Sequence, residues 1–134
     1  MLASQLYDDF GRRYAEAWSS QLPTKVADMF SPEGYITING NQPAIGRAAI
    51  AEVALGFMST FPDLDVQCDQ VIVEEKAIKW CWTMRGTNSG PDGSGRIIDI
   101  SGYETIVLDL HGLIISADGY YDEADFNRQL RPID

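Results

Sequence analysis

A carboxylate interrupts an apolar row on one predicted strand. Alternate residues from Ile98 to Leu108 share one face of that strand, and all of them are apolar or glycine except Glu104. A buried carboxyl without a cation beside it has a raised pKa, so it can hold or deliver a proton near neutral pH. The pattern predicts an acid/base residue, unless a bulge at Gly102 turns Glu104 outward to solvent.

Asp118 is the second candidate for acid/base chemistry, and it lies on the following strand. A two-residue turn at His111 and Gly112 would place Gly119, and not Asp118, directly opposite Glu104. A slip of one residue in the register would bring Asp118 beside Glu104 instead. The alternative is that Asp118 lies in a surface turn or bulge, and the sequence leaves both open.

Four tyrosines could orient a carbonyl or enolate beside such a carboxylate: Tyr35, Tyr103, Tyr120 and Tyr121. The same register places Tyr103 opposite Tyr120. A phenolic hydroxyl can stabilise the enolate oxygen that forms when a proton leaves carbon next to a carbonyl. Packing with the hydroxyl at the rim of the protein is the structural alternative for each tyrosine.

Large apolar side chains are expected to line a pocket for a small hydrophobic ligand. On the strand from Ile78, alternation puts the two tryptophans and Met84 on one face and polar residues on the other. Ordinary core packing is the alternative for the tryptophans. The residues predicted to contact the ligand are Tyr14, Tyr35, Phe57, Trp80, Trp82, Met84, Ile98 and Ile100.

The elements that would position these side chains come in two blocks. Apolar residues at i, i+4 spacing predict an amphipathic first helix, and Pro23 begins a short second one. A short strand at Tyr35–Ile38 and a third helix that Pro62 ends come next. Four β-rich runs and a brief last helix follow; the runs are Val66–Glu74, Ile78–Thr87, Arg96–Leu108 and Leu113–Tyr121. Helices followed by strands predict an α+β fold: a cone-shaped, curved antiparallel sheet wrapped around the N-terminal helices.

Composition limits the classes of function. The chain has 134 residues, 45% of them apolar, and a formal net charge of −10, so we expect one globular domain over residues 1–134. Such an acidic surface disfavours nucleic acid and anionic membranes as partners. The beginning of the chain has no signal-peptide pattern, and no run is apolar enough to span a membrane. We therefore expect a cytoplasmic protein.

The residues that commonly hold metals or form nucleophilic triads are scarce. His111 is the only histidine and stands in a predicted turn, which argues against a histidine-based triad or metal site. Cys68 and Cys81 fall at diagonal positions across a predicted hairpin at Glu75 and Lys76, too far apart for a disulfide. We expect two thiols, no metal and no cofactor.

Five short phrases, in this order and spacing, resemble the nuclear transport factor 2-like superfamily and, within it, the SnoaL-like polyketide cyclases. The match extends over nearly the whole chain, and the phrases are Gly46-Arg47-Ala48-Ala49-Ile50, Phe61-Pro62-Asp63-Leu64, Trp82-Thr83-Met84-Arg85-Gly86-Thr87, Gly112-Leu113-Ile114-Ile115 and Asp122 before Phe126-Asn127-Arg128-Gln129-Leu130.

The resemblance implies an acid/base enzyme that needs no cofactor and acts on a small hydrophobic carbonyl compound. A polyketide cyclase or ketosteroid isomerase kind of reaction, in the lyase or isomerase class, would fit. Cyclases of this family use a carboxylate on the last long strand, and Asp118 is the nearest match here. The epoxide hydrolase branch fits poorly, because Trp82, Met84 and Gly119 stand where its charged residues would be.

Two alternatives remain open. One is a non-catalytic ligand-binding or dimerisation domain, and the other is dehydration of a hydroxylated substrate. The resemblance also implies a homodimer through the open face of the sheet, since that face must be covered somewhere. The residues expected at or near that contact are Cys81, Thr83, Arg85, Tyr103 and Val107.

Overall fold

Helices and strands follow one another as the sequence predicts, with one small strand added. The computed structural model describes residues 2–131, with side chains from residue 5 onward. The helices are α1 (Leu2–Ser19), α2 (Pro23–Ala27), α3 (Arg47–Thr60) and α4 (Glu123–Leu130). The strands are β1 (Phe30–Ile38), β2 (Ala44–Ile45), β3 (Asp65–Val73), β4 (Ile78–Thr87), β5 (Ile97–Leu108) and β6 (Ile114–Tyr121). The fold is α+β, as predicted.

The strands form one mixed sheet in the order β2-β1-β6-β5-β4-β3. From β3 to β6 each strand pairs antiparallel with the next, which confirms the predicted meander. The predicted register is also confirmed, since Glu104 stands opposite Gly119 on one side and Trp80 on the other. No register shift occurs at Gly102, so Glu104 keeps its predicted face.

The first strand differs from its prediction. It begins at Phe30 and pairs with β6 in parallel, so the sheet is not wholly antiparallel. The register shifts between Phe30 and Tyr35, a segment that contains Pro32. A proline lacks the N–H for a regular ladder and is tolerated at a bulge. The strand therefore extends through Pro32 with an irregular register, and it is longer than the predicted Tyr35–Ile38.

Helix α1 packs closely against the sheet through its apolar stripe. Phe10, Tyr14 and Trp18 are all buried. A Cβ atom at Gly11 would lie 2.6 Å from Val71 Cγ2, so only glycine permits this approach. The indole N–H of Trp80 donates to the Gly11 carbonyl at 3.0 Å, and this contact fixes the helix over β4.

The two faces of the sheet differ in composition because side chains alternate along each strand. The inner face, towards α1 and α3, carries Trp80, Trp82, Met84, Ile98, Ile100, Glu104, Ile106, Ala117 and Gly119, all of them buried. The outer face carries Lys79, Cys81, Thr83, Arg85, Asp99, Ser101, Tyr103, Asp118 and Tyr120. The core thus lies on one side of the sheet only.

Both cysteines are free thiols, as expected. Cys81 stands opposite Gln70, as predicted, but a register shift between Cys68 and Gln70 puts Cys68 opposite Trp82, so the predicted diagonal position of Cys68 is wrong. Burial raises the pKa of both thiols, so neither is activated as a nucleophile.

Candidate active site

An apolar pocket opens between the inner face and the helices. It encloses about 460 Å³ of empty space, counting its open mouth. This narrow space suits a compact ligand. The lining residues are Trp18, Ile36, Ile38, Phe57, Val66, Trp80, Trp82, Met84, Glu104, Gly119 and Tyr121.

Glu104 is the carboxyl group of this pocket. Its residue is 7% exposed, and no cation contacts it among residues 2–131. The pKa of Glu104 is raised to about 8: burial is the largest cause, the hydrogen bond from Tyr14 acts in the opposite direction, and the charge of Asp118 adds the smallest contribution. The carboxyl therefore changes its protonation state close to neutral pH, as an acid/base catalyst must.

Tyr14 holds the carboxyl in place from helix α1. Its hydroxyl donates to Oε1 of Glu104 at 2.9 Å, and its ring lies 4.5 Å from that of Trp80 between centroids. Burial raises the pKa of Tyr14 well above its ordinary value, so the hydroxyl stays protonated and remains a donor. Trp18 packs edge-on to the same ring at 6.4 Å. Tyr14 is thus a positioning residue for Glu104.

Two glycines leave room for the large residues of the pocket. A Cβ atom at Gly119 would lie 3.2 Å from Glu104 Cγ, so glycine there gives the carboxyl its space. A Cβ atom at Gly102 would lie 2.6 Å from Trp82 Cζ2 and 2.3 Å from the Tyr120 carbonyl oxygen. Gly119, which occupies the position opposite Glu104, therefore accommodates the acid on the neighbouring strand.

Part of the predicted lining is found in the pocket. Phe57, Trp80, Trp82 and Met84 all contact it. Tyr121, one of the tyrosines expected to orient a carbonyl, also lines it, whereas Trp18, Ile36, Ile38 and Val66 were not predicted from the sequence. Trp18 could have been found, because it continues the i, i+4 stripe of Tyr14 on α1. The residues from β1 could not, because their neighbour in the sheet is β6, far away in the chain.

The expected places of Asp118, Tyr103 and Tyr120 in the pocket are wrong. All three lie on the outer face, because the register from Gly102 to Val107 places Gly119, and not Asp118, opposite Glu104 and puts each of the three one residue away from an inward position. Asp118 accepts a hydrogen bond from the Thr37 hydroxyl at 2.7 Å on that face. The Tyr103 and Tyr120 rings pack at 5.4 Å between centroids, also outside the pocket.

Four of the predicted ligand-contacting residues also lie elsewhere. Tyr35 stands on the other face of β1 from the pocket residue Ile36. Ile98 and Ile100 share the inner face but are buried in the core beyond the pocket wall. Tyr14 is fully buried behind Glu104 and reaches the site only through its hydrogen bond to that carboxyl.

Some donors around the pocket are left without acceptors. Within the described part of the chain, three buried side-chain nitrogens have no hydrogen-bond partner: Trp18 Nε1, Asn39 Nδ2 and Trp82 Nε1. Both tryptophans line the pocket, and Asn39 accepts from the backbone N–H of Tyr121, another lining residue. An unmet donor in a buried place costs free energy, and such costs concentrate at sites that bind something.

Metal clusters and membrane-spanning helices are the two remaining features of interest. Across residues 2–131, no three or more histidine, cysteine, aspartate or glutamate residues come together as a metal site would require. None of the helices in the described part of the chain is both long and apolar enough to cross a membrane.

A model of one protein family matches most of the chain. The model described as SnoaL-like polyketide cyclase matches residues 8–130. Among curated proteins, none matches the chain.

Solved structures share the fold at low sequence identity. A protein with a ketosteroid isomerase-like fold from Catenulispora acidiphila DSM 44928, in complex with trimethylamine, has a TM-score of 0.79 at 14% identity, over 90% of this chain and 91% of that one. The epoxide hydrolase/cyclase-like enzyme SalBIII of pyran ring formation in salinomycin has a TM-score of 0.78 at 17% identity, over 93% and 97%. A phenazine biosynthesis-related protein from Pseudomonas aeruginosa has 0.71 at 14% identity, over 97% and 92%.

Proposed function

The chain belongs to the SnoaL-like polyketide cyclase family, and from this premise we propose that it is a cofactor-independent enzyme that moves a proton at carbon next to a carbonyl group. The substrate would be a small hydrophobic compound that fits the apolar pocket. The observation that carries the proposal is Glu104, a buried carboxyl in the pocket whose pKa is raised to about 8.

The proposed reaction uses one carboxyl as both base and acid. Ionised Glu104 takes a proton from the carbon next to the carbonyl, and the electrons of that C–H bond form the enolate. The protonated carboxyl then returns the proton, either to another carbon in an isomerisation or to the alkoxide that forms when the enolate carbon attacks a second carbonyl in a cyclisation. Every proton removed is thus returned, and no oxidant or reductant is needed.

The base form determines the expected pH dependence. A group with a pKa of about 8 is partly ionised at neutral pH and becomes fully ionised above that value. We expect the rate of proton removal to rise about tenfold for each pH unit up to about 7.5 and to level off above 8. A rate that instead falls as pH approaches 8 would indicate that the neutral acid does the chemistry.

Exchange of hydrogen for deuterium next to a carbonyl tests the proposal without the natural substrate. We expect the wild type to catalyse exchange at C1 of 2-tetralone in deuterated water, followed by nuclear magnetic resonance. Glu104→Gln keeps the side chain's size and its hydrogen bond from Tyr14, yet removes the base, so exchange should fall at least about 100-fold.

The matched control is Asp118→Asn, which removes a carboxylate from the opposite face of the sheet. This variant should keep the exchange rate within about twofold of wild type, apart from a small shift in the pH profile through the loss of charge near Glu104. Equal losses in both variants, or no catalysis by the wild type across a panel of ketones, would contradict the proposal.

A non-catalytic binding domain is the second candidate, and the pocket's aromatic lining favours it. Trp18, Phe57, Trp82 and Tyr121 present aromatic rings around one carboxyl, and such rings can hold small alkylammonium ions. The structural relative that contains trimethylamine fits this possibility. Tight binding of trimethylammonium by the wild type, with no exchange of any ketone, would favour it.

We also propose that the outer face is covered in a homodimer. That face carries paired tyrosine rings, and the Lys79 ammonium lies 4.7 Å from the centroid of Tyr103. Light scattering at tens of micromolar, an approximate working range for weak interfaces, should give twice the chain mass. A single-chain mass there would contradict the homodimer and leave the enzyme proposal untouched.

A further inference from the structure

Trp82 presents a donor that the folded chain does not use. Trp82 is 7% exposed and lines the pocket, and no described residue accepts a hydrogen bond from its indole N–H. Trp82 is fixed by its neighbours, because its ring lies over Gly102 and meets Tyr121 edge-on at 6.0 Å between centroids. The donor is therefore held in place before any ligand arrives.

Trp80 shows what the same group does when it is structural. It lies two residues away on the same face of β4, and its N–H donates to the Gly11 carbonyl at 3.0 Å. Trp18, the other unpartnered indole, packs edge-on to Tyr14, the residue that positions Glu104. Trp80 and Trp18 thus both pack on the ring of Tyr14, and Trp82 packs on Tyr121 instead.

The position of Trp82 fits a carbonyl oxygen near Glu104. Trp82 stands opposite Gly102 and Trp80 stands opposite Glu104, so Trp82 and Glu104 are diagonal neighbours on one face. Diagonal neighbours are roughly 7–8 Å apart between Cα atoms, a span that one small molecule can bridge. No lysine or arginine is among the lining residues described, so the pocket offers no counter-charge for a carboxylate ligand.

We infer that the indole N–H of Trp82 donates to a carbonyl oxygen of an uncharged ligand and thereby selects carbonyl compounds. The inference rests on the proposed function, which requires a group to stabilise the enolate oxygen. Of the tyrosines expected from the sequence to do this, Tyr103 and Tyr120 lie on the outer face, and Tyr121 lines the pocket edge-on to Trp82. Trp82 takes over the task, and hydrogen bonding that strengthens as the oxygen becomes negative favours proton removal by Glu104.

A set of rigid probes of similar shape tests this selection. Indane has no oxygen, 1-indanone has one carbonyl, and N-methylphthalimide has two, and none of them carries a donor or a charge. N-methylisoindoline has the skeleton of N-methylphthalimide but is a cation at pH 6.5. We expect the two carbonyl probes to bind the wild type more tightly than indane or N-methylisoindoline in isothermal titration calorimetry.

The Trp82→Phe variant removes the N–H and keeps an aromatic ring. We expect it to weaken the binding of 1-indanone by about three- to tenfold more than the binding of indane, as the loss of one neutral hydrogen bond predicts. The matched variant Trp80→Phe removes a donor that already has a partner. It should lower the stability of the fold in urea. Because Trp80 also lines the pocket, its smaller ring should weaken the binding of indane and of 1-indanone by a similar factor, unlike the change at Trp82.

Two results would overturn the inference. One is an equal loss for indane and 1-indanone in Trp82→Phe, which would mean that the ring alone matters. The other is tightest binding of N-methylisoindoline, which would make the pocket a cation site. If the wild type catalyses exchange and Glu104→Gln does not, either of these results rejects only the role of Trp82, and the proposed function stands. If the protein prefers the carbonyl probes but exchanges no ketone, the proposed function is rejected and the Trp82 donor stands.

Discussion

Strand β5 carries one carboxylate on each face, and the two have opposite environments. Glu104 points inward, is 7% exposed and meets no cation among the described residues. Asp99 points outward, is more than half exposed at its side chain and accepts a hydrogen bond from Arg85 at 3.0 Å. The pKa of the inward carboxylate is raised to about 8, chiefly by burial.

The difference shows that the face of the strand on which a carboxylate lies decides whether it is buried or exposed. The two carboxylates are five positions apart, and an odd spacing puts them on opposite faces. We expect exchange of the outward one for another polar residue to change the stability little. The inward one makes the fold less stable at neutral pH, and such a cost is expected where a residue serves a site.

The neighbours Ser101 and Gly102 give the largest expected contrast between the two faces. Gly102→Ala would bring a Cβ atom to 2.3 Å from the Tyr120 carbonyl oxygen and 2.6 Å from Trp82, so β6 or the pocket wall must move. We expect a loss of about 3 kcal/mol in the free energy of unfolding, measured in urea. Ser101→Ala, an exposed neighbour on the outer face, should cost no more than about 0.5 kcal/mol.

Similar losses in the two variants would break the contrast. A stable Gly102→Ala protein would mean that the row from Trp82 to Tyr121 is loosely packed, and the fixed orientation of the Trp82 donor would no longer follow. Near-ultraviolet circular dichroism of the tryptophans would then show whether the ring has turned.

Much of the inner face could be predicted from the sequence, because alternation with period two needs only local information. It placed Trp80, Trp82, Met84 and Glu104 together. The predicted pairing of Glu104 with Gly119 is observed, but the two-residue turn from which it was predicted is wrong: Leu108 pairs with Ile114, and a register shift between Val107 and Leu108 restores the pairing. The family resemblance favoured Asp118 as the acid, and the sequence left Glu104 and Asp118 both open.

The rest of the site depends on contacts between distant parts of the chain. Whether Tyr14 lines the pocket or lies behind Glu104 depends on how deeply α1 sits on the sheet, which Gly11 controls. The parallel pairing of β1 with β6 depends on where the chain re-enters the sheet. A periodic sequence pattern predicts neither the depth of α1 on the sheet nor the partner of β1. The unpartnered state of the Trp82 N–H is likewise visible only when all possible acceptors are in place.

The stability of Glu104→Gln gives the next largest effect, and its sign depends on pH. The folded pKa of Glu104 is about 8, above the ordinary value of 4.5 for a free glutamate. Between these values the folded chain binds more protons than the unfolded chain, so the stability of the wild type falls as pH rises through this window. The amide in the Glu104→Gln variant cannot ionise, so this variant does not lose stability in this way.

Urea unfolding at pH 5.5 and pH 8.5 measures this difference. We expect the stability of Glu104→Gln relative to wild type to grow by about 2 kcal/mol between the two pH values, less than the full shift allows because a buried charge draws in water. Asp118→Asn provides the control on the opposite face and should show no comparable change. A Glu104→Gln protein that becomes relatively less stable as pH rises would mean that the ionised carboxylate has a partner in solution.

The smallest effect on stability is expected at the outward carboxylate, Asp99. Its ion pair with Arg85 tests whether the outer face is exposed to water or covered by a second copy of the chain. Asp99 and Arg85 form an ion pair whose side chains are 57% and 54% exposed, so water screens most of their attraction. A double-mutant cycle with Asp99→Asn and Arg85→Gln should give a coupling of no more than about 0.5 kcal/mol at low salt, and less in 0.5 M sodium chloride. The backbone carbonyl of Asp99 accepts a hydrogen bond from Gln129 Nε2, and its N–H donates to Gln129 Oε1, so these backbone contacts survive both substitutions.

The cycle should be run at several protein concentrations, because a second copy covering the outer face would bury the pair. Coupling that stays small at low concentration and grows as a homodimer forms would place the pair in the interface. Coupling above about 1.5 kcal/mol at every concentration and insensitive to salt would show that the outer face is desolvated within the single chain, and the contrast with Glu104 would no longer rest on exposure.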